Sequence, residues 1–225
     1  MTSVSQALQQ RISVRAFLDK PVPEALLREV LEAARWSPSG GNLQPWRVIA
    51  VAGKERDAII DLARNGQWAS QGGAEDGGYA IYPPSLWEPY RSRRFAIGES
   101  MYALLGIERE DKQGRLANFE RNYEFFGAPV GLFFVIDRRM GHGQWAHMGM
   151  FMQSLMLAAT ERGLATCAQE AWGVYRGRLH KHFGLGASEL LYCGMALGYA
   201  DPNAPVNRLR SERASVDEIA TLRGF

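Results

Sequence analysis

Apolar residues in this chain recur at helical spacing in some stretches and at strand spacing in others. Between residues 24 and 36, four apolar residues fall at i, i+3, i+4 and i+7, which predicts a helix with one buried stripe. These residues are Leu27, Val30, Leu31 and Ala34. Residues 130–136 form instead a continuous apolar run of strand length, which predicts a buried strand.

The same criteria predict the remaining elements. Helices are predicted at 3–10, 24–36, 54–64, 95–105, 113–123, 144–162 and 174–183. Strands are predicted at 46–52, 130–136, 164–168 and 190–197. The helix at 144–162 is apolar nearly all round, so we expect it to be buried centrally. Gly163 is placed to end it.

Two stretches do not fit these periods. Residues 65–95 are rich in glycine, proline and aromatic residues, which predicts an irregular, lid-like excursion. Residues 201–225 are polar and predict a C-terminal extension. With 225 residues and no internal repeats, we expect residues 1–225 to form a single domain.

Composition and charge narrow the function classes. The net charge of +2 argues against a dedicated nucleic-acid binder. The start of the chain lacks the pattern of a signal peptide, and the longest largely apolar run, 148–159, is too short to cross a bilayer. The only cysteines, Cys167 and Cys193, cannot form a disulfide framework. We therefore expect a cytoplasmic protein that binds neither membrane nor nucleic acid.

Several common catalytic motifs are absent from the sequence. It contains no G-x-G-x-x-G fingerprint, no phosphate loop, no C-x-x-C, no H-E-x-x-H and no G-x-S-x-G. Of the four histidines, His180 and His182 are close together, but in a stretch predicted to be helical. We predict no metal site, and hydrolytic and metal-dependent enzymes become less favoured.

The first positive signal is the alternating segment Arg11-Ile12-Ser13-Val14-Arg15. In an extended conformation its two arginines and its serine share one face. Two guanidiniums and a hydroxyl on one face suit a phosphate or another delocalised anion. A solvated strand edge would show the same spacing.

Three further segments carry weaker signals. Residues 37–46 combine small and amide residues that let the backbone approach a ligand, although a helix-to-strand turn would look the same. Residues 164–172 predict a strand end followed by a helix start near Glu170, where backbone N–H groups can face an electron-rich atom. Glu170 is equally compatible with a general acid or an ordinary first-turn acid. The arginines of 207–213 suit either a phosphate or a solvated terminus.

Taken in order, these four segments resemble the nitroreductase family of FMN-dependent flavoproteins, over residues 8 to 219. The resemblance rests on the R-x-S-x-R start, the S-P-S-G-x-N-x-Q-P-W loop and the Gly-Tyr-Ala-Asp-Pro segment with its later arginines. Residues 81–91 and 122–129 are similar to the branch that includes nitrobenzoate reductases. The resemblance implies an α+β fold, a three-layer α/β/α arrangement with a mixed central sheet, and an intertwined homodimer with FMN at the subunit interface.

The resemblance also implies a set of cofactor-binding residues. Phosphate binding is implied for Arg11 and Ser13, with Arg213 and, less directly, Arg210. Arg15 would reach the flavin pyrimidine edge, where a cation stabilises the reduced flavin. The partner subunit would supply Pro38, Ser39, Gly40 and Asn42. Ala168, Gln169 and Glu170 would line the flavin, with the backbone N–H of Glu170 facing N5, and Asn122 is a weaker candidate.

The implied activity is reduction of nitroaromatic compounds, nitrobenzoates among them, by ping-pong hydride transfer from NADH or NADPH through flavin N5. No dedicated acid–base residue is required, because the cofactor carries the chemistry. The alternatives within the superfamily are reductive dehalogenation of halogenated phenols and quinone or enone reduction. Dehalogenation is less favoured because 168–170 offers no Ser or Thr.

Substrate selection is expected in residues 79–95. Tyr82, Trp87, Tyr90 and Phe95 are candidates for an aromatic box that takes a small aromatic substrate. Arginines of the same stretch, Arg93 and its neighbours Arg91 and Arg94, are candidates for a substrate carboxylate. The alternative is a solvated helix start.

Overall fold

The computed structural model describes residues 3–65, 79 and 81–225. The predicted lid-like excursion lies outside these residues at 66–78 and 80. The α-helices are α1 Val4–Gln10, α2 Glu24–Ala34, α3 Gly53–Arg64, α4 Tyr90–Leu105, α5 Lys112–Glu120, α6 His142–Glu161, α7 Arg176–His182 and α8 Val216–Ile219. The strands are β1 Arg47–Ala52, β2 Val130–Asp137, β3 Ala165–Gln169 and β4 Glu189–Gly198. Short 3-10 helices span Gly40–Asn42, Arg121–Gly127, Glu170–Tyr175 and Pro205–Arg208.

The four strands form one sheet in the order β1-β2-β4-β3, and each neighbouring pair is antiparallel. An isolated parallel bridge joins Ser13 to Thr166 of β3, and the Val14 N–H donates to the Thr166 carbonyl at 3.0 Å. The strand pairs themselves are all antiparallel, and this bridge places the alternating segment 11–15 beside β3.

Helices cover both faces of the sheet, which confirms the three-layer α+β arrangement. Alternate residues of β2 point to opposite faces, so Leu132 packs with α2 and α6 while Phe133 packs with α3 and α7. Seven of the eight β2 residues are buried. Because both faces of the strand are covered, its sequence is a nearly continuous apolar run. Two cores, one on each face, hold the sheet in the middle layer.

Several predicted boundaries change in the structure. The helix predicted at 95–105 begins at Tyr90, so residues 90–94 are helical rather than irregular. The helix predicted at 113–123 ends at Glu120 and passes into a 3-10 helix in which Phe125 and Phe126 have positive φ values. The helix predicted at 174–183 is preceded by the 3-10 helix Glu170–Tyr175 and becomes α-helical only at Arg176.

Helix α6 departs from its prediction in a different way. Its inner face is fully buried at Met148 and Leu155, but Met150 is 43% exposed. The helix is therefore covered on one face, not all round, within this chain. Gly163 follows it with φ +71°, which confirms the predicted glycine stop.

None of the helices in the described ranges is both long and apolar enough to cross a membrane.

Candidate cofactor-binding site

A cleft of about 390 Å³ opens between the start of the chain, α4 and the C-terminal tail. Its lining is strongly cationic and carries four arginines. The lining residues are Leu8, Gln9, Arg11, Ile12, Ser13, Arg15, Ile97, Leu209, Arg210, Ser211 and Arg213. The structure thus brings the predicted phosphate residues Arg11, Ser13, Arg210 and Arg213 together around one cavity, with Arg15 beside them.

Long-range hydrogen bonds hold the two ends of the chain around this cleft. The Arg15 N–H donates to Asn207 Oδ1 at 2.9 Å, and Asn207 Nδ2 donates to the carbonyls of Ala16 at 2.8 Å and Asp201 at 2.9 Å. Asn207 thereby fastens the tail to the segment 11–16. The sequence gives no signal for this role, because the contact joins residues 192 positions apart.

Arg11 is the most distinctive residue of the cleft. Its Nε atom is buried and has no hydrogen-bond partner among the residues that the structure describes. Burial lowers the pKa of Arg11, and the positive charge of nearby Arg213 lowers it further. A partly buried guanidinium beside a second cation is stabilised by an anion that accepts from both. The cleft therefore fits a phosphate or a comparable anion.

The two tail arginines that line the cleft, Arg210 and Arg213, donate hydrogen bonds to backbone carbonyls of the tail itself. Arg210 Nη1 donates to the carbonyls of Asn207 and Leu209, both at 3.0 Å. Arg213 Nη1 donates to the carbonyls of Ser211 and Glu212, both at 2.9 Å, and to the Ser211 hydroxyl. These bonds shape the tail into a loop that presents both guanidiniums to the cleft.

The end of β3 carries the second group of predicted residues. Ala168 is exposed, whereas Gln169 is 2% exposed and donates through Nε2 to the Asn122 carbonyl at 2.7 Å. Gln169 Oε1 is buried, and no residue in the described ranges makes a hydrogen bond to it. Asn122 thus holds Gln169 through its backbone carbonyl. Its side-chain amide donates to the carbonyl of Phe119 instead.

Glu170 follows directly as the first residue of the 3-10 helix Glu170–Tyr175. Its carboxyl is half-buried and accepts a hydrogen bond from the Tyr192 hydroxyl at 3.3 Å. Burial raises the pKa of Glu170, and the Tyr192 hydroxyl opposes this by stabilising the carboxylate. Backbone N–H groups at a helix start have no intrahelical partner, so they are available to a ligand.

The loop at 38–42 does not reach the cleft. Pro38, Gly40 and Asn42 are exposed, and no residue of the loop lines the cavity. The Ser39 hydroxyl accepts from the Gln44 N–H at 2.9 Å, and the Gly40 N–H donates to His147 Nδ1 at 3.4 Å. A Cβ at Gly40 would lie 3.1 Å from the His147 ring, so glycine allows this close approach to α6. Within one chain the loop is presented on the surface.

The substrate candidates cluster near the start of α4. Trp87 and Tyr90 contact edge-to-face at 5.4 Å, and both are exposed, as is Tyr82. The Arg94 guanidinium lies 4.3 Å above the Tyr82 ring. Arg93 is already paired with Glu218 of α8 at 3.1 Å, which the sequence did not indicate.

The fold and the cleft together define an α+β protein with a cationic cleft, lined by four arginines, between segments from near the two ends of its chain. The chain belongs to the nitroreductase family, whose model matches residues 8–199.

Similar proteins support this assignment over the full length. The chain is 37% identical to a 4-nitrobenzoate reductase of Pseudomonas putida, covering 96% of this chain and 93% of that protein. It is 34% identical to a nitrobenzene nitroreductase of Ectopseudomonas oleovorans, covering 97% and 96%. Among solved structures, an FMN and NADPH-dependent nitroreductase NfnB from sphigopyxis sp. strain HMH is 47% identical, with a TM-score of 0.94 over 99% of this chain and 100% of that one.

Proposed function

We propose that this protein is an FMN-dependent NAD(P)H oxidoreductase that reduces nitroaromatic compounds, nitrobenzoates among them. The observation that carries the proposal is the buried, unpartnered Nε of Arg11 in a cleft shared with Arg210 and Arg213. Relatives named for 4-nitrobenzoate and nitrobenzene reduction, and a solved relative described as FMN- and NADPH-dependent, support the substrate and cofactor classes.

The residues present fit FMN. A phosphate monoester would supply oxygens to the orphaned Arg11 Nε and neutralise the guanidinium pair formed with Arg213. Ser13 also lines the cleft. Ala168, Gln169 and Glu170 would line the ring system, and the unpartnered Gln169 Oε1 offers an acceptor there.

When bound, FMN supplies the two-electron chemistry that couples NAD(P)H oxidation to nitro-group reduction. The protein's contribution is to bind and orient it. Arg11, Ser13, Arg210 and Arg213 would hold the phosphate, while Arg15 would place positive charge at the pyrimidine edge. The backbone N–H of Glu170 would donate a hydrogen bond at N5. No side chain in this scheme has to act as a general acid or base.

The overall reaction balances without any further reagent. One nitroaromatic, one NAD(P)H and one proton give a nitroso product, NAD(P)+ and water. A second NAD(P)H and proton convert the nitroso group to a hydroxylamine. In this proposal, NAD(P)H and the nitro compound occupy the same site in turn.

The proposal includes a homodimer with one site at each end of the subunit interface. The exposed loop would enter the other subunit's site, so that Pro38, Ser39, Gly40 and Asn42 complete a cleft that lacks them in its own chain. Trp36, Leu43 and Met150, on or near this loop and α6, are 76%, 56% and 43% exposed. Burying such apolar side chains against a second copy would stabilise the dimer.

The aromatic substrate is proposed to lie against Tyr82, Trp87 and Tyr90 at the start of α4, where Arg93 is already paired with Glu218. Exposed rings that already pair edge-to-face offer a stacking surface for another aromatic ring. We further propose that residues 1–225 act as one domain and that the protein works in the cytoplasm.

The experiment is to purify the protein, measure FMN per chain from the visible absorbance, and assay nitro-group loss from 4-nitrobenzoate with NADH and NADPH. The proposal predicts one FMN per chain and NAD(P)H-dependent formation of the hydroxylamine. A protein that does not take up FMN would contradict it. An FMN protein that reduces quinones or halophenols but no nitro compound would retain the cofactor and change the substrate.

A further inference from the structure

Three arginines lie close together at the start of α4, and each contacts a different partner. They are Arg91, Arg93 and Arg94. Arg91 contacts Glu88 through Nε and Nη2, both at 2.8 Å, and the Ser92 hydroxyl donates to the second Glu88 oxygen at 2.6 Å. Arg93 pairs with Glu218 at 3.1 Å. Each of these positive charges is locally cancelled by a carboxylate.

Arg94 differs from both neighbours. Its guanidinium lies 4.3 Å above the Tyr82 ring, and within the described residues it has no ion pair with a carboxylate. An arginine stacked on an aromatic face keeps its planar donor edge free for a carboxylate. Arg94 therefore carries the uncompensated charge of this cluster.

Helical spacing places both Arg93 and Arg94 beside Ile97, which lines the cleft, so their partners distinguish them: Arg93 pairs with Glu218, and Arg94 lies over the Tyr82 ring. Residues three or four apart on a helix are neighbours on one face. Arg94 is three residues before Ile97, which lines the cleft, and four residues after Tyr90. Arg91 is six residues before Ile97 and lies on a different face. The stripe Tyr90, Arg94 and Ile97 thus joins the exposed aromatic rings to the cofactor cleft.

We infer that Arg94, stacked on Tyr82, binds the carboxylate of an aromatic acid and makes the enzyme selective for anionic aromatic substrates. The inference rests on the proposed function, whose site it extends. The Tyr82 ring fixes the guanidinium plane, the donor edge of Arg94 meets the carboxylate, and the substrate ring lies beside Trp87 and Tyr90. Arg93 stays engaged with Glu218 and anchors the C-terminal tail instead.

The first test uses binding and requires no turnover. Benzoate and its neutral isostere benzamide are titrated into the FMN-loaded protein by calorimetry. Arg94→Gln is expected to weaken benzoate binding about tenfold, the usual scale of a hydrogen bond to a charged group, and to leave benzamide unchanged. Arg94→Lys, which keeps the charge but not the fork, should fall in between. The matched control is Arg109→Gln, since Arg109 also stacks on a ring, that of Phe95, at 5.2 Å.

The second test compares kcat/KM for 4-nitrobenzoate and 4-nitrobenzamide. Arg94→Gln should lower the first about tenfold and leave the second within about threefold. Equal losses on both substrates, or no loss on either, would overturn the inference, as would a wild-type protein that binds benzoate no better than benzamide. A loss confined to the rate with NADPH, and absent with NADH, would assign Arg94 to the dinucleotide phosphate and also overturn it.

The two tests keep this inference separate from the proposed function. If the wild type reduces neither nitro compound, yet Arg94→Gln abolishes a preference for benzoate, the carboxylate site stands and the proposed reaction fails. If the wild type reduces both compounds and the variant is unchanged, the proposed reaction stands and Arg94 has no role in selectivity.

Discussion

Arg11 shows how the environment of a single residue specifies a ligand. A surface arginine would satisfy its donors with water, but the Arg11 Nε is buried without a partner, and Arg213 adds a like charge nearby. Leaving a buried charged donor unpaired is costly, so the arrangement favours the binding of an anion. The alternation of residues 11–15 predicted the shared face, but not this burial, which depends on the tail.

Replacement of Arg11 tests that argument. Arg11→Met should weaken FMN binding by about tenfold or more, because it removes a charge-assisted hydrogen bond worth about 1.5–3 kcal/mol. The effect should be much smaller for riboflavin, which lacks the phosphate. Fluorescence titration of the FMN-free protein measures both affinities.

The control for this variant is Arg208→Met, because Arg208 is an exposed arginine of the same tail that does not line the cleft. It should leave FMN affinity within about twofold. Equal weakening of FMN and riboflavin by Arg11→Met would contradict the phosphate assignment and indicate a general structural role.

The environments of the Glu170 and Glu189 carboxyl groups predict opposite pH dependences of the free energy of unfolding. Burial raises the pKa of Glu170 above its ordinary 4.5, so the folded protein binds this proton more tightly than the unfolded chain. Its contribution to stability is present below pH 4.5 and is lost as the pH rises through the folded-state pKa. The Gly186 N–H and Arg47 lower the pKa of Glu189, so its contribution is present above 4.5 and is lost on acidification.

Unfolding by urea at a series of pH values measures both contributions. Relative to the wild type, Glu170→Gln should gain stability as the pH rises above 4.5. Glu189→Gln should lose stability relative to the wild type as the pH rises toward 4.5, with no further change above it, since it gives up a carboxylate held at 2.8 Å by the Gly186 N–H. Two differences that are flat with pH, or that share one sign, would contradict the environments described for these carboxyls.

At the scale of elements, the chain's periodicity predicted the sheet and most helices, and it failed where packing overrode local pattern. The strand β2 was evident because both its faces are buried. The start of α4 was missed because residues 83–89 contain three prolines and the first helical residues are aromatic and charged. At Phe125 and Phe126, buried aromatic packing fixes left-handed backbone values that no periodicity signals.

Replacement of Gly194 by alanine tests how tightly β4 packs against the 3-10 helix Glu170–Tyr175. A Cβ at this position would lie 2.2 Å from Cδ1 of Trp172, whose side chain is fully buried. Gly194→Ala should therefore destabilise the protein by about 1–3 kcal/mol through overpacking, and it should disturb the neighbouring Glu170. Chemical unfolding measures the loss.

Gly143→Ala is the matched control, because Gly143 lies in α6 and nothing lies within 4 Å of its added Cβ. It should be neutral or stabilising by up to about 1 kcal/mol. If both variants unfolded at the wild-type midpoint, the close approach of Trp172 to β4 would be wrong.

At the scale of the whole molecule, the candidate site is a product of the tertiary fold. The four arginines of the cleft come from the two ends of the chain, and Asn207 joins those ends. The order of the motifs indicated which segments belong together. The distances between these segments depend on contacts between residues far apart in sequence. The same is true of the burial of Arg11 Nε and of the Arg93–Glu218 pair, and no local pattern contains such contacts.

Exposed apolar residues on α6 and beside the loop at 38–42 predict how the protein assembles. They are Met150, Trp36 and Leu43. The protein should have twice the chain mass of 25.1 kDa in solution, and Met150→Lys should lower both that mass and the FMN content. Leu116→Lys, at a similarly exposed apolar position on α5, should lower neither. Light scattering coupled to gel filtration decides this, and a monomer with one tightly bound FMN would contradict the shared site.

The measurement that tests the central claim most directly is an anaerobic stopped-flow experiment on the FMN-loaded protein. Flavin absorbance is followed first on mixing with NADH or NADPH, and then on mixing the reduced protein with 4-nitrobenzoate. The account predicts fast bleaching, followed by fast return of the absorbance with loss of the nitro group. A flavin that NAD(P)H does not bleach, or that bleaches and is not reoxidised by any nitroaromatic compound, would contradict it.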